Sequence, residues 1–458
     1  MAVGDRKKKI MRLITLFICI SLAGCASTES EKFDLIISNV NLINGTGSPI
    51  QNNVNIYIKD KKIAKIEKAE IGFGRIVIDG TGKYLIPGLF DCHTHTSNYK
   101  VDLPRFIHYG VTSILITGGS KCTDDFFAEM RVMGAQDSIP APRVSHTSQH
   151  FTMEGKHPVK TYPSNDWIDG KTVFYLEDTL QIESLVKQAS RQLIVGIKLT
   201  IEDGPLPPLV SRMPQEFVNK VVKEAKKYGI EVYVHASDNE EMAMAQQAGV
   251  KNYLHYVMID LDRERDSSLI AGLIENNATI VTTLMLKKSW LYPLRPDWIQ
   301  QFKEANIYSK EEIEYLSNPA RKGKSLRILK SRKFMKDEEI PSLLSMITNQ
   351  MDDLKALQKD GINVALGTDT GNDFILPGIS LHEEMQIMEL GGLEPLEIIK
   401  MTTHNAAKML KQLDSLGTVE EGKYADMILL DRNPLDSIGN TLSINRVIKN
   451  GHIQKRMN

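Results

Sequence analysis

The chain has 458 residues, more than one simple domain usually needs but within reach of an α/β barrel carrying a smaller domain. Apolar residues make up 42% and charged residues 25%, which excludes wholesale disorder. A formal net charge of −1, with neither a basic excess nor an acidic tail, gives no footprint for nucleic acid.

The first segment carries its own message. Lys7, Lys8, Lys9 and Arg12 form a basic start, and the uncharged, mostly apolar run 14–23 follows. That run is too short for a stable membrane-spanning helix and suits a signal peptide over 1–24. It ends in Leu22-Ala23-Gly24-Cys25, which resembles the lipobox of bacterial lipoproteins, where the cysteine becomes the lipidated first residue. An ordinary signal peptide with an incidental cysteine is the alternative. On the lipobox reading, Cys25 is the lipidation site and 25–32 is a polar tether. The mature protein then sits in the cell envelope, periplasmic or on the outer surface of a bacterial membrane, held there by its lipid anchor only. Removing 1–24 takes away Arg6, Lys7, Lys8, Lys9 and Arg12 against Asp5 alone, so the mature chain is mildly acidic. Cys92 and Cys122 remain; an oxidising envelope permits a disulfide between them without requiring one.

From Phe33 onward the pattern is of short strands. Val54, Ile56 and Ile58 alternate with Asn55, Tyr57 and Lys59, the period of a half-buried strand. Ile76-Val77-Ile78 follows, closed by Asp79-Gly80. Similar texture returns near the C-terminus in 425–430 and 446–448, where Asn450-Gly451 is a hairpin signal. The two ends are expected to pair into one small β domain.

Between them, apolar strands alternate with amphipathic helices, as in βα units on a parallel sheet. The predicted strands are 84–95, 111–117, 143–147, 193–200, 231–235, 252–255, 279–283 and 363–369, with 143–147 the least marked. Helices are predicted at 215–228 and 240–248. Eight strands suggest a barrel rather than an open sheet. The stretch 284–361 is too long for a simple connection and carries a basic run, 321–333. It reads either as a solvated helical excursion or as a cap over the barrel mouth.

His93 and His95 lie two apart at the end of an apolar strand, so their side chains face the same way and can reach one metal ion. Imidazole suits zinc and neighbouring divalent metals. Such a pair is a weak signal alone. Four further polar residues fall at or near strand ends: Lys198, His235, His255 and Asp369. In a TIM barrel that rim is where active sites form. Lys198 is unusual for a buried strand, because an unpaired ammonium is costly to bury. His150 and His157 flank the loop after the third strand and are candidates to line a substrate pocket, the alternative being surface histidines. His382 and His404 read as structural, and Cys92, between Asp91 and His93, as packed against a helix.

At these positions the chain resembles the amidohydrolase superfamily, in its imidazolonepropionase-like and metal-dependent dipeptidase (prolidase-like) branch. The resemblance rests on Ile86-Pro87-Gly88-Leu89-Phe90-Asp91-Cys92-His93-Thr94-His95, on Gly367-Thr368-Asp369, and on Gly417-Thr418-Val419-Glu420-Glu421-Gly422-Lys423-Tyr424-Ala425-Asp426. One departure is Asp60-Lys61-Lys62, where relatives commonly carry Asp-Gly at a hairpin. The resemblance implies an α/β fold: a TIM (β/α)8 barrel over 86–411, with a small β-sandwich domain formed from 33–85 and 412–458. It implies two divalent metal ions, with zinc the default. His93, His95 and Asp369 would bind one and His235 and His255 the other. Lys198, carboxylated on its amine, would bridge them. Desolvation favours the neutral amine that can take up carbon dioxide; the alternative is an unmodified lysine paired to a carboxylate. Two such ions about 3.5–4 Å apart can share a hydroxide, and bound water can fall to a pKa of about 7. Asp369 would then act as general base and afterwards general acid. The implied function is hydrolysis of a C–N amide or peptide bond of a small-molecule substrate. A mononuclear hydrolase or deaminase of a cyclic amide, lactone or heterocycle is one alternative; a non-catalytic envelope scaffold is another. No Gly-x-Ser-x-Gly elbow supports a serine mechanism. Oligomeric state is not legible.

Overall fold

The computed structural model describes residues 32–68, 72–204, 209–305, 308–336 and 338–457. Cys25 and the segments expected to be signal peptide and tether lie outside these, except for Lys32.

Strands from both chain ends share one eight-stranded mixed sheet. Lys32–Leu42 pairs antiparallel with Gln51–Lys59, which pairs with Lys62–Glu67. Tyr84–Pro87 lies beside the end of Lys32–Leu42 and joins it to the C-terminal strands Met427–Leu430, Ile444–Lys449 and His452–Ile453. Alternation along the N-terminal strands turns Leu35, Ile37, Ile56 and Ile58 to one side. There they form a core with Leu85, Met427 and Leu429. The expected meeting of the two ends is thus seen as a single mixed sheet, consistent with the β-sandwich expectation. The Asn450-Gly451 hairpin has φ of 52° and 72°, the doubly left-handed turn that this dipeptide favours. Asp60 and Lys61 make the same kind of turn at φ of 49° and 70° without a glycine. The Asp60 N–H donates to Asp34 Oδ2 at 2.9 Å, and Lys61 Nζ reaches Asp137 at 2.6 Å.

The expected strand 84–95 divides at Gly88. Tyr84–Pro87 belongs to the terminal sheet, whereas Leu89–Thr94 begins the parallel part. A Cβ on Gly88 would fall 2.1 Å from Thr112 Oγ1, so no other residue fits the crossing. Asp426 ties the two parts together: its backbone carbonyl accepts from Gly88 N, and its side chain accepts from Arg143 Nε at 2.8 Å and Asn450 N at 2.7 Å.

The parallel strands form two sheets. One has three strands, Leu89–Thr94, Val111–Ile116 and Arg143–His146. The other has seven, in the order Val173–Tyr175, His150–Thr152, Gly196–Thr200, Glu231–His235, Asn252–Tyr253, Thr279–Val281 and Asn363–Ala365. Two of these, His150–Thr152 and Val173–Tyr175, were not expected from the sequence. Backbone hydrogen bonds join the sheets at both margins: Cys92 N to Leu366 O and Asp369 N to His93 O on one side, Val195 N to His146 O and Ser148 N to Gly196 O on the other. The result is a TIM-barrel-like α/β fold, without one uninterrupted eight-stranded ladder. Helices cover the outside. Gln215–Lys227 buries Phe217, Val218, Val221 and Ala225 on one stripe, and Asn239–Gln247 starts at an Asp238 cap that accepts from Glu241 N.

The long stretch 284–361 is helical, and its inner surface is buried. Leu343–Lys359 covers Met346, Ile347, Met351 and Leu354. Lys287 Nζ, also buried, donates to Gln350 and to the Met346 carbonyl. Arg321 and Lys324 both bond Asp373, and the Tyr315 hydroxyl accepts from Phe374 N at 3.1 Å. The excursion therefore docks on the loop that follows Asp369. Cys92 and Cys122 are free and buried. Cys92 packs among Leu115, Tyr233 and Leu254 and against the helical Ala406, Ala407 and Met409. His382 is structural, bonded to Thr441 and to the Tyr109 carbonyl.

Gly88→Ala is expected to destabilise the protein by about 1–3 kcal/mol through overpacking against Thr112. A urea denaturation midpoint that falls for Gly88→Ala and partly recovers with Thr112→Ala supports this reading. An unchanged midpoint contradicts it.

Candidate metal centre

His93 and His95 end the first parallel strand, and Asp369 follows the last. The bond from Asp369 N to His93 O, at 2.8 Å, sets these two strand ends side by side. Asp369 adopts a left-handed φ of 63°, which aspartate tolerates better than most residues. Asp91 supports the same junction, accepting from Thr368 N at 3.0 Å and Thr368 Oγ1 at 2.7 Å. Burial raises its carboxyl to about 7 against these hydrogen bonds.

The tautomers of the two histidines follow from their partners. His93 Nδ1 donates to the Leu254 carbonyl at 2.8 Å, and His95 Nδ1 donates to the Gly118 carbonyl at 2.7 Å. A carbonyl can only accept, so each proton sits on Nδ1 and each Nε2 carries a lone pair. The two Nε2 atoms are 3.3 Å apart, and Asp369 Oδ1 lies 3.4 Å from one and 3.1 Å from the other. Three acceptors therefore converge with no proton among them. A tetrahedral ion with bonds of about 2.0–2.1 Å has ligand–ligand edges of about 3.3–3.4 Å. The observed spacing fits a small divalent cation.

His235 and His255 lie next to this group. His235 Nδ1 is 2.8 Å from His255 Nε2, and the His93 and His255 ring centroids are 4.5 Å apart. His255 Nδ1 meets Thr283 Oγ1 at 3.1 Å. Burial, followed by the Lys198 charge, lowers His93 and His235 well below the ordinary histidine value; for His255 the causes are burial and then His235. Neutral imidazoles, the ligating form, result. Burial alone would raise Asp369, but the His95 ring against it, followed by His255 and Lys198, keeps it below the usual carboxylate value.

Lys198 is fully buried on Gly196–Thr200. Its Nζ has no hydrogen-bond partner, and burial lowers it to about 7 against the pull of Asp369 and Glu202. An isolated buried amine without a partner is costly, and a neutral amine open to modification relieves that cost.

The structure thus brings together all six residues singled out in the sequence: His93, His95, Lys198, His235, His255 and Asp369. It also places His150 and His157 inside the site rather than on the surface. His150 is buried, stacks toward His95 with centroids 6.5 Å apart, and bonds Thr200 Oγ1 at 2.9 Å. The Trp167 ring stands edge-on to it. His157 lies 4.9 Å from the His235 ring and 3.9 Å from Glu202.

Glu202 was missed. It is 6% exposed and accepts from His235 Nε2 and from Ser237 Oγ at 2.8 Å. A proton held on His235 Nε2 leaves Nδ1 as the lone pair facing His255. His157, Glu202 and His235 also form a second group with ligand atoms close enough to hold an ion, beside His93, His255 and Asp369. The one available signal was a carboxylate four residues after Lys198, where the strand had already ended.

The model of the amidohydrolase family matches residues 84–454. The chain belongs to the amidohydrolase family. It is similar to ochratoxinase of Aspergillus niger, 24% identical over 90% of this chain and 84% of that protein. It is also similar to imidazolonepropionase of Thermoanaerobacter pseudethanolicus, 22% identical over 86% of this chain and 87% of that protein. Among solved structures, a Xaa-Pro dipeptidase with bound methionine superposes with a TM-score of 0.68 at 23% identity, covering 92% of this chain and 99% of the other. Amidohydrolases are metal-dependent hydrolases of carbon–nitrogen bonds, and this chain is an enzyme of that kind.

Glu202→Ala is expected to weaken retention of divalent metal by about 10–100-fold, the usual effect of losing a carboxylate behind a ligating histidine. Competition with a chelator measures this. Retention equal to that of the unaltered enzyme would show that Glu202 does not orient His235.

Proposed function

We propose that the enzyme hydrolyses an amide or peptide C–N bond of a small substrate, in the manner of a dipeptidase, with two divalent ions, zinc by default. His93, His95 and Asp369 would hold one ion and His235 and His255 the other, and a carboxylated Lys198 would supply a further anionic ligand. The observation that carries this reading is the unpartnered, fully buried Lys198 amine close to the converging Nε2 lone pairs of His93 and His95 and the Asp369 carboxylate. A carbamate there would replace a costly buried amine with an anion suited to binding divalent cations.

When bound, the ions supply an activated water at neutral pH and polarise the scissile carbonyl. The chain's own residues do the rest. Leu254 O and Gly118 O fix the ring orientations of His93 and His95. Glu202 fixes His235. Asp369, whose Oδ1 faces the first two histidines, would take the proton of the attacking water and pass it to the leaving amine. His150 and His157, buried against the same centre with the half-buried Trp167 edge-on to His150, would line the substrate pocket. The similar proteins include an ochratoxinase and a Xaa-Pro dipeptidase, which favours amide and dipeptide substrates. The lipobox adds that 1–24 is removed and Cys25 lipidated, placing the enzyme in the cell envelope.

Elemental analysis tests the centre. About two metals per chain are expected, falling in Lys198→Ala; a single metal unaffected by that change overturns the binuclear reading in favour of a mononuclear hydrolase or deaminase. Turnover is tested against dipeptides, N-acyl amino acids, lactones and cyclic amides. Asp369→Asn is expected to lose about 10²–10⁴-fold on the best substrate, the contribution of general acid–base catalysis. Equal background rates for both proteins across the panel would point to a non-catalytic scaffold.

A further inference from the structure

The loop 153–172 follows the strand His150–Thr152 and brings two aromatic residues to the metal centre. The Tyr162 ring lies 5.6 Å from that of His157, and the Trp167 ring 5.5 Å from that of His150, between centroids. His157 and His150 in turn stand 4.9 Å from His235 and 6.5 Å from His95. The loop is pinned upon itself. Thr152 Oγ1 donates to the His157 carbonyl at 2.6 Å, Tyr162 N to the Pro158 carbonyl at 2.9 Å, and Trp167 Nε1 to the Tyr162 carbonyl at 3.1 Å. Thr161 Oγ1, beside Tyr162, lies 2.6 Å from His157 Nδ1. These contacts fix the Tyr162 backbone and ring and leave its hydroxyl out.

That hydroxyl is the unexplained group. Other phenols of the barrel are bonded: Tyr233 donates to the Met409 carbonyl at 3.4 Å, Tyr253 to the Val250 carbonyl at 3.2 Å, Tyr256 to Asp353 at 3.1 Å, and Tyr292 to Glu383. Tyr162 is half-buried, and its hydroxyl has no hydrogen-bond partner among the described residues. A phenol withdrawn from water ordinarily has one. Burial, followed by the charges of Glu202 and Asp369, pushes the phenol above the ordinary tyrosine value. It therefore keeps its proton and acts as a donor. The two carboxylates stand on opposite halves of the centre, Asp369 with His93 and His95 and Glu202 with His235. A hydroxyl that both charges reach faces the space between those halves. The scissile bond must lie in that space if Asp369 is to serve both the attacking water and the leaving amine.

We propose that Tyr162 is a further catalytic residue, its hydroxyl donating a hydrogen bond to the carbonyl oxygen of the scissile amide. This inference rests on the amide-hydrolase reading above. The carbonyl oxygen gains negative charge as water adds to the carbon, so a fixed donor aimed at it acts most strongly in the transition state. The donor is neutral and adds no charge to compete with bound cations for the centre.

The test uses the full chain loaded with zinc and its Tyr162→Phe variant, which keeps the ring against His157 and removes only the hydroxyl. Metal content and thermal midpoint are expected to match those of the parent. On the best dipeptide or N-acyl amino acid, kcat is expected to fall about 10²-fold with KM little changed, the lower end of what losing one oxyanion donor costs. The N-methylphosphonyl amino acid that mimics the tetrahedral intermediate of that substrate is expected to bind the variant more weakly by a similar factor in calorimetry. The product amino acid is expected to bind both proteins alike. Equal kcat and equal affinity for the phosphonyl compound overturn the inference. So does a fall in kcat that accompanies loss of metal, or a raised KM with kcat unchanged, since either would reduce Tyr162 to a packing or ground-state contact. A parent protein that neither cleaves any amide of the panel nor binds the phosphonyl compounds removes the amide-hydrolase reading and this inference together. An active parent with an equally active Tyr162→Phe removes this inference alone.

Discussion

The site depends on one electrostatic constraint: ring nitrogens and a carboxylate oxygen turned toward each other with no proton between them. Backbone carbonyls at Leu254 and Gly118 take the Nδ1 protons of His93 and His95, so both Nε2 lone pairs must face Asp369. Such an arrangement is repulsive in a buried, low-dielectric place unless a cation occupies its centre. Burial does the complementary work of keeping the histidines neutral. The same physics makes Lys198 conspicuous, because its amine is buried among these groups and has no partner of its own.

This constraint is held by the way the first and last parallel strands meet. The ladder there is short, and a few contacts fix it: Cys92 N to Leu366 O, Asp369 N to His93 O, and the Asp91 carboxylate on Thr368. Gly367 allows the close approach, since a Cβ there would lie 2.8 Å from His93 N. The ligand set thus comes from two residues on one strand and one from a strand more than 270 positions later, brought into register by backbone geometry. The terminal sheet is joined to the same strand through Gly88 and Asp426, so the metal centre and the small sheet share one continuous piece of chain.

The long excursion between the seventh and eighth predicted strands is also tied to the site. Its Arg321 and Lys324 share Asp373, and Tyr315 holds the backbone of Phe374. Both contacts fall a few residues beyond Asp369. The stretch fits the cap reading better than that of a wholly solvated arm, because its inner helices bury Met346, Ile347 and Leu354 and its outer charges are spent on the rim loop.

The sequence by itself determined the alternation of strands and helices, the pairing of the chain ends and the six polar residues at strand ends. These follow from local periodicity and from the rarity of a lysine or histidine at the end of an apolar run. His150 and His157 were also legible as candidates, though their burial was not. Only the tertiary structure decided the rest. The strand 84–95 breaks at Gly88 because Thr112, from another strand, leaves no room for a side chain. His150–Thr152 and Val173–Tyr175 are too short to show a period, and their pairing with Gly196–Thr200 makes them strands. Glu202 lies in a loop where a carboxylate is unremarkable until His235, from the next strand, turns its Nε2 toward it. Periodicity reports what each segment does alone, whereas register, close approach and the partner of a buried charge are properties of segments brought together from distant parts of the chain.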